Sequence, residues 1–225
     1  MRGILTVLVV GLLVSPVLAD TYYVRGDLNG WGLANPMTDN LDGSYSATID
    51  VSGQTLGNTF QFKAANGDWS VTAPPNNAQL RYINGAITFY FYPNFADDGW
   101  MPPTAWGPNR MGWNATTGWD LMGSPNGWSA PLAALTNTGG DLFQTEIVIP
   151  TAGHSEFKFR ATGDWDINIG NTFAFNDYNI GVDSASDNET WRFELDLPHG
   201  RWRTTLVPEP ASLLLALLAL ALRRR

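Results

Sequence analysis

The sequence predicts an all-β protein. Two tandem immunoglobulin-like β-sandwiches are expected, with an N-terminal signal peptide before them and a short C-terminal hydrophobic helix after them. Three observations carry this expectation. Short runs alternate apolar and polar side chains, as in Ser155-Glu-Phe-Lys-Phe-Arg160, the period-two pattern of a half-buried strand. Clusters of Gly, Asn, Asp and Pro separate these runs at steady spacing, which suits a sandwich of roughly seven strands per half. And a group of residues recurs: Gly26, Asn29, Gly30 and Trp31 return as Gly123, Asn126, Gly127 and Trp128, at a constant offset of 97. Self-similarity at a fixed offset marks an internal repeat. No stretch of the body has helical periodicity of useful length.

Residues 1–19 read as a secretory signal. Arg2 precedes an apolar run from Ile4 to Val14, and Val17-Leu18-Ala19 is a small-residue cleavage site, with the cut between Ala19 and Asp20. The run is too short to span a bilayer. Residues 20–95 form the first repeat: Tyr22 to Trp31, Pro36-Met37, a strand over Tyr45–Val51, a Phe60-Gln-Phe62 strand with a Gly67-Asp-Trp69 tip, and a strand over Ile87–Tyr92. Residues 96–116 are rich in Pro, Gly and Trp; Met101-Pro-Pro-Thr104 and Trp106-Gly-Pro-Asn109 oppose regular strand there. This stretch reads as a linker whose Trp106 and Trp113 pack between the halves. Residues 117–206 repeat the first half: Trp119 to Trp128, Pro131-Leu132, a strand over Leu142–Ile149, the Phe157-Lys-Phe159 strand with its Gly163-Asp-Trp165 tip, and a strand over Thr190–Leu195.

Residues 207–225 are set apart by a proline pair, which separates the Leu- and Ala-rich run Leu213–Leu222 from what precedes it; three arginines follow. Pro208-Glu209-Pro210, the apolar run and the basic end resemble the PEP-CTERM sorting tail of exported bacterial proteins. That resemblance implies recognition by an exosortase-type processing enzyme after signal peptidase has acted, removal of the tail, and delivery to the cell surface or extracellular matrix. The run is shorter than a spanning helix needs, so contact with the membrane is expected only transiently.

The chain carries 13 basic and 21 acidic residues, a formal charge of −8. The signal and tail contain Arg2, Arg223–Arg225 and Glu209, so the body stands at about −11. Such a surface repels nucleic acid and anionic membrane, and neither is expected as a partner. There are no cysteines, which removes disulfides, thiol catalysis and cysteine metal sites. Stability has to come from burial, and ten Trp, 11 Phe and seven Tyr supply it.

The repeated Gly-x-x-Asn-Gly-Trp, the Pro-hydrophobic pair, the Phe-Lys-Phe strand and the Gly-Asp-Trp tip resemble the early-set β-sandwiches. These include glycogen-binding domains of AMP-activated kinase β subunits and N-terminal domains of isoamylase-type enzymes. Trp165-Asp-Ile-Asn-Ile-Gly170 resembles modules appended to pullulanases and found in starch-utilisation lipoproteins. The resemblance spans nearly the whole body, twice. It implies a sugar-facing role for Trp128 and Trp165, and for Trp31 and Trp69 in the first half. It also implies a polar role for Lys158, whose position is Gln61 in the first half. A rigid indole can cover the apolar C–H face of a pyranose at low entropic cost, while Lys158, Asn126 and Asn168 could hydrogen-bond the hydroxyls. The second half, with its Asn168-Ile-Gly170 ending, is the better candidate.

The same residues have plainer readings. A Trp in an Asn-Gly-Trp turn can plug one end of a sandwich, and Lys158 with Arg160 can be a solvated face. The loop Asp183–Asn188 could hold Ca²⁺ through oxygen ligands, but turn formation alone explains it, and no metal or cofactor is expected. His154 and His199 are the only histidines, and no G-x-S-x-G, H-E-x-x-H or phosphate loop is present. Asp164 and Asp166 flank Trp165 as a glycosidase pair would, yet lie in a turn. The reading is therefore an exported, non-catalytic binder of α-glucan or exopolysaccharide. The alternative is a purely structural surface protein with no glycan ligand, and burial of the four tryptophans discriminates the two.

Overall fold

The structure is a computed structural model that describes residues 20–53 and 58–209. The signal peptide up to Ala19, Pro210 and the rest of the sorting tail, including its expected helix, lie outside the described residues. The first half carries β1 (Tyr22–Gly26), β2 (Thr38–Asp39), β3 (Tyr45–Asp50), β4 (Thr59–Asn66), β5 (Thr72–Arg81), β6 (Ala86–Tyr92) and β7 (Arg110–Trp113). The second carries β8 (Trp119–Gly123), β9 (Ala133–Ala134), β10 (Thr136–Asn137), β11 (Leu142–Ile149), β12 (Gly153–Ala161), β13 (Asp164–Ile169), β14 (Ile180–Ser184), β15 (Glu189–Asp196) and β16 (Arg201–Val207). Only 3₁₀ turns interrupt them among the described residues, and no helix there is long and apolar enough to cross a membrane.

The strands form four small antiparallel sheets. Sheet I has the order β1-β4-β5 and sheet II the order β2-β3-β6-β7. Sheet III is β10-β11-β15-β16, and sheet IV is β13-β12-β8-β9 with β14 also pairing β12. Alternation decides which face of each is buried. In β4, Phe60, Phe62 and Ala64 point inward, and in β12, Phe157 and Phe159 do.

Two self-contained immunoglobulin-like sandwiches do not form; the four sheets stand as four blades in a propeller-like ring, and this corrects the expectation from sequence. Contacts run all the way round. Sheet I meets II through Phe62 and Phe89, with ring centroids 4.9 Å apart. Sheet II meets III where the Trp113 N–H donates to the Leu197 carbonyl at 3.1 Å. Sheet III meets IV through Phe157 and Phe193 at 4.7 Å. Sheet IV returns to I where Gln79 Nε2 donates to the Asp166 carbonyl at 2.7 Å. One continuous cluster of buried side chains, from Tyr22 to Trp202, fills the interior. The physical reason is that strands this short leave edges and apolar ends that one half alone cannot cover, so each half buries them against the other.

The stretch 96–116 takes part in this. Its last residues are β7, which pairs β6 and is buried throughout. Trp113 touches Phe62 of one half and Phe173 of the other, at 5.4 Å from each. Trp106 is exposed.

Candidate functional site

The repeated motif builds the same turn twice. β1 ends at Gly26, a 3₁₀ turn covers Asp27–Asn29, and Gly30 (φ 60°) and Trp31 (φ 63°) are both left-handed. The Trp31 N–H closes the turn on the Gly26 carbonyl at 2.8 Å. In the second half the turn is Ser124–Asn126, then Gly127 (φ 66°) and Trp128 (φ 64°), with the Trp128 N–H on the Gly123 carbonyl at 3.0 Å. The first glycine has its own reason. A Cβ on Gly26 would sit 2.3 Å from the Gln61 carbonyl oxygen, and one on Gly123 2.6 Å from the Phe157 ring. Each turn therefore lies flat on the neighbouring strand and directs its indole outward.

A second indole comes from the tip of the next hairpin. Trp69 lies between β4 and β5, and Trp165 opens β13. They are 40% and 42% exposed. Each stands beside the turn tryptophan of its own half: Trp31 and Trp69 are 6.2 Å apart with planes tilted by 37°, and Trp128 and Trp165 are 6.1 Å apart and tilted by 52°. None of the four belongs to the core. The structure thus brings together the four residues that the repeat singled out, in two pairs on the outer faces of sheets I and IV.

The other expected residues fall differently. Lys158 is half-buried beside this face and donates to Asn168 Oδ1 at 3.2 Å. Burial pulls the Lys158 ammonium below its ordinary pKa, against the pull of the nearby Asp177 carboxylate. Asn168 is buried, and its Nδ2 holds the Trp165 carbonyl at 2.9 Å, so it positions the indole from beneath. Asn126 belongs to the turn: its Nδ2 donates to the Ala130 carbonyl at 2.9 Å and its Oδ1 is buried without a partner. Asn29 ties the first turn differently, accepting from the Gly26 N–H at 3.1 Å and donating to the Val24 carbonyl at 2.8 Å.

The register also replaces Gln61 as the counterpart of Lys158. Gly26 pairs Phe62 and Gly123 pairs Phe157, so Lys63, opposite Arg25, corresponds to Lys158, opposite Met122. The two Phe-x-Phe pairs are out of register by two residues, because the ladder to the motif glycine sets the correspondence. Burial pulls Lys63 below its ordinary pKa too, and its Nζ donates to the Pro75 carbonyl at 3.1 Å.

Sequence reasoning missed two arginines. Arg25 is buried with its guanidinium carbon 3.5 Å from the Trp69 ring centre, and its Nε donates to the Trp31 carbonyl at 2.9 Å. It braces both indoles of the first half. In the second half the arginine comes from the adjacent strand. Arg160 lies 5.2 Å from the Trp165 ring centre and pairs with the buried Asp120 at 2.7 Å. Both sit at polar positions of clear strands, but only the register shows that they underlie an indole.

One indole N–H separates the halves. Trp31 Nε1 donates to Asp27 Oδ1 at 3.0 Å, while the other Asp27 oxygen accepts from the Gln61 N–H at 2.8 Å. Ser124 replaces Asp27 in the second half, and its Oγ accepts only the Glu156 N–H, at 2.9 Å. The indole N–H groups of Trp69, Trp128 and Trp165 have no hydrogen-bond partner among the described residues, so both are free in the second pair and one in the first. Two tilted rings with free edge donors and an ammonium nearby suit a ligand that has apolar faces and a hydroxyl rim. Asp164 and Asp166 are both held by Arg81. Among the described residues, no three His, Asp or Glu side chains converge on one point.

No protein-family model matches the chain, and no curated protein matches it. Among solved structures it is similar to one described as the crystal structure of SusF from Bacteroides thetaiotaomicron, with 18% identity and a TM-score of 0.34. The match covers 85% of this chain and 49% of that one, so the chain spans about half of that protein. A likeness at this level carries no argument for function.

Proposed function

We propose that the protein is an exported, non-catalytic carbohydrate-binding protein of the cell surface or extracellular matrix, and that the Trp128–Trp165 face in the second half is its principal site. The observation that carries this reading is the pair itself. Two neighbouring indoles stand outside the core with their N–H groups unengaged, on a face flanked by Lys158. Pyranose rings stack on the indoles, and Lys158 and the free N–H groups bind hydroxyls. Arg160 and Asn168 hold Trp165 in place. The partial exposure of the tryptophans also weighs against the alternative of a surface protein in which they serve only as core. The signal up to Ala19 and the Pro208-Glu209-Pro210 tail support the address.

The test uses protein recovered from the surface fraction of its host, beginning at Asp20, and titrates its tryptophan fluorescence with amylose and with laminarin. A saturable shift with one of them is expected. In a Trp69→Ala background, where the second half is read alone, Trp165→Ala should weaken it by about 2 kcal/mol, roughly thirty-fold, as loss of a central aromatic anchor does. In the same Trp69→Ala background, affinity that survives Trp128→Ala combined with Trp165→Ala would remove the site from this face. Protein found only inside the cell would remove the address.

A further inference from the structure

Sheets I and IV meet edge to edge, and the contacts between them fix their relative direction. Arg81 of β5 pairs with Asp164 of β13, Gln79 donates to the Asp166 carbonyl, and the Asn77 carbonyl accepts from the Phe175 N–H at 3.0 Å. Residue numbers fall on one side of this seam as they rise on the other, so β5 and β13 run antiparallel. The strand order across the surface is then β1-β4-β5 followed by β13-β12-β8, with equivalent strands in reverse. Both sheets turn the same side to the core, since Phe62 and Leu80 are buried in the same cluster as Phe159 and Ile167. A half-turn about an axis through the seam, normal to the surface, therefore carries one tryptophan pair onto the other. The two pairs face the same way, at opposite ends of the seam.

Their separation follows from the register. Trp165 lies beside Asp164, which contacts Arg81, and Arg81 pairs Thr59. Trp69 lies beyond Asn66, at the other end of β4. The strand rise makes β4 alone about 23 Å long, and the intervening strands add sideways distance. Between the pairs the outer surface presents the polar side chains of Gln61, Gln79, Arg81 and Asp166.

We infer that the two tryptophan pairs hold two separate polysaccharide chains running in opposite directions, so that the protein cross-links them. This rests on the sugar-binding reading above. A polysaccharide has a reducing and a non-reducing end, so an asymmetric site accepts it in one direction. A single straight chain crossing the seam would enter the second site reversed. Two antiparallel chains, or segments of two molecules, meet both sites correctly. Each pair then acts as a monovalent grip, and the gain from two sites appears as bridging instead of tighter hold on one chain.

The test is a capture assay with the full-length protein, run separately with amylose and with laminarin. One portion of the glycan is fixed on beads and a second, fluorescein-labelled portion is free in solution. The protein should carry labelled glycan onto the beads, with capture rising and then falling as protein is added in excess. Trp69→Ala and Trp165→Ala should each still bind the beads, keep a thermal midpoint close to that of the parent, and lose capture at least tenfold. Parent protein that binds beads without capturing label overturns the inference, as does capture unaffected by either variant. Bead binding abolished by one variant and untouched by the other overturns it too, because only one site would then work. Parent protein that binds neither glycan overturns the sugar reading itself, and the inference falls with it.

Discussion

Three of the four tryptophans sit where a bulky side chain is disfavoured. Trp31, Trp69 and Trp128 have φ of 63°, 67° and 64°. The left-handed region costs an L-residue roughly 1–2 kcal/mol. Glycine or asparagine would relieve that strain at a turn, so the tryptophans are held there by the surrounding hydrogen bonds for the sake of where their rings point. At this scale a single exchange separates the two halves. Asp27 takes up the Trp31 N–H, whereas Ser124 leaves that of Trp128 free. Asp27→Ser keeps an acceptor for the Gln61 N–H and releases the indole. In a Trp165→Ala background, where the first half is read alone, it should tighten maltoheptaose binding about three- to tenfold. That is the yield of one net hydrogen bond of about 0.5–1.5 kcal/mol. Calorimetric affinity that stays level or falls would show that the first-half indole N–H does not reach the sugar.

At the scale of the element, strands were legible where the face alternates. Leu142–Ile149 is a strand as predicted, and Ile87–Tyr92 and Thr190–Leu195 differ from β6 and β15 by a residue at one end or both. Strands with atypical composition were not legible. β5 was not singled out from the sequence; it runs through Pro74 and Pro75 because its register to β4 breaks there: Ala78 pairs Phe62 and Ala73 pairs Ala64. β7 is only Arg110–Trp113 inside a Pro-rich stretch, and its partners are remote in sequence. The tryptophan pairs were legible because the motif repeats. Arg25, Arg160 and Lys63 were not, because their roles depend on which residue lies across the ladder. β7 also yields a prediction. A Cβ on Gly112 would lie 2.1 Å from the Leu197 carbonyl oxygen and 2.2 Å from that of Pro198. Both are backbone atoms that cannot swing aside. Gly112→Ala should therefore cost about 3 kcal/mol and lower the thermal midpoint by roughly 6–12 °C. Gly67→Ala, with nothing within 4 Å of the added carbon, is the control. Equal midpoints for the two variants would mean that β7 does not press on the other half as tightly as described.

At the scale of the whole molecule, the ring closes through two seams, and charged groups clamp both. Arg81 with Asp164 and Asp166 spans sheets I and IV. On the far side, Asp98 joins sheets II and III: it receives Arg110 of β7 at 2.9 Å and Arg201 of β16 at 2.6 Å. Arg201 continues to Asp196 at 2.8 Å, and His199 contacts the same carboxylate at 2.8 Å. Partial burial pushes the Asp98 carboxyl up, but hydrogen bonds from Arg110, the Trp100 N–H and Arg201, together with the charge of Arg110, outweigh it and bring the pKa down to about 2. A carboxylate with a folded pKa below its ordinary value contributes stability that is complete above the ordinary value and is lost as pH falls toward the folded one. For Asp98 that window runs from pH 3.8 down to about 2. Asp196, held low by His199 and Arg201 in spite of its burial, acts in the same direction. The partly exposed position of Asp98 limits its share to about 1–2 kcal/mol. Asp98→Asn should accordingly lower the thermal midpoint by several degrees at pH 7, leaving the buried Arg110 short of its anion. The difference from the parent should shrink as pH falls below 4 and be small at pH 2, where Asp98 of the folded parent is about half protonated. Thermal melts of both proteins at pH 7, 5, 4, 3 and 2 decide it. A gap that stays constant across the series would mean that Asp98 acts through shape and hydrogen bonding alone, and that the seam between sheets II and III is not closed by its charge.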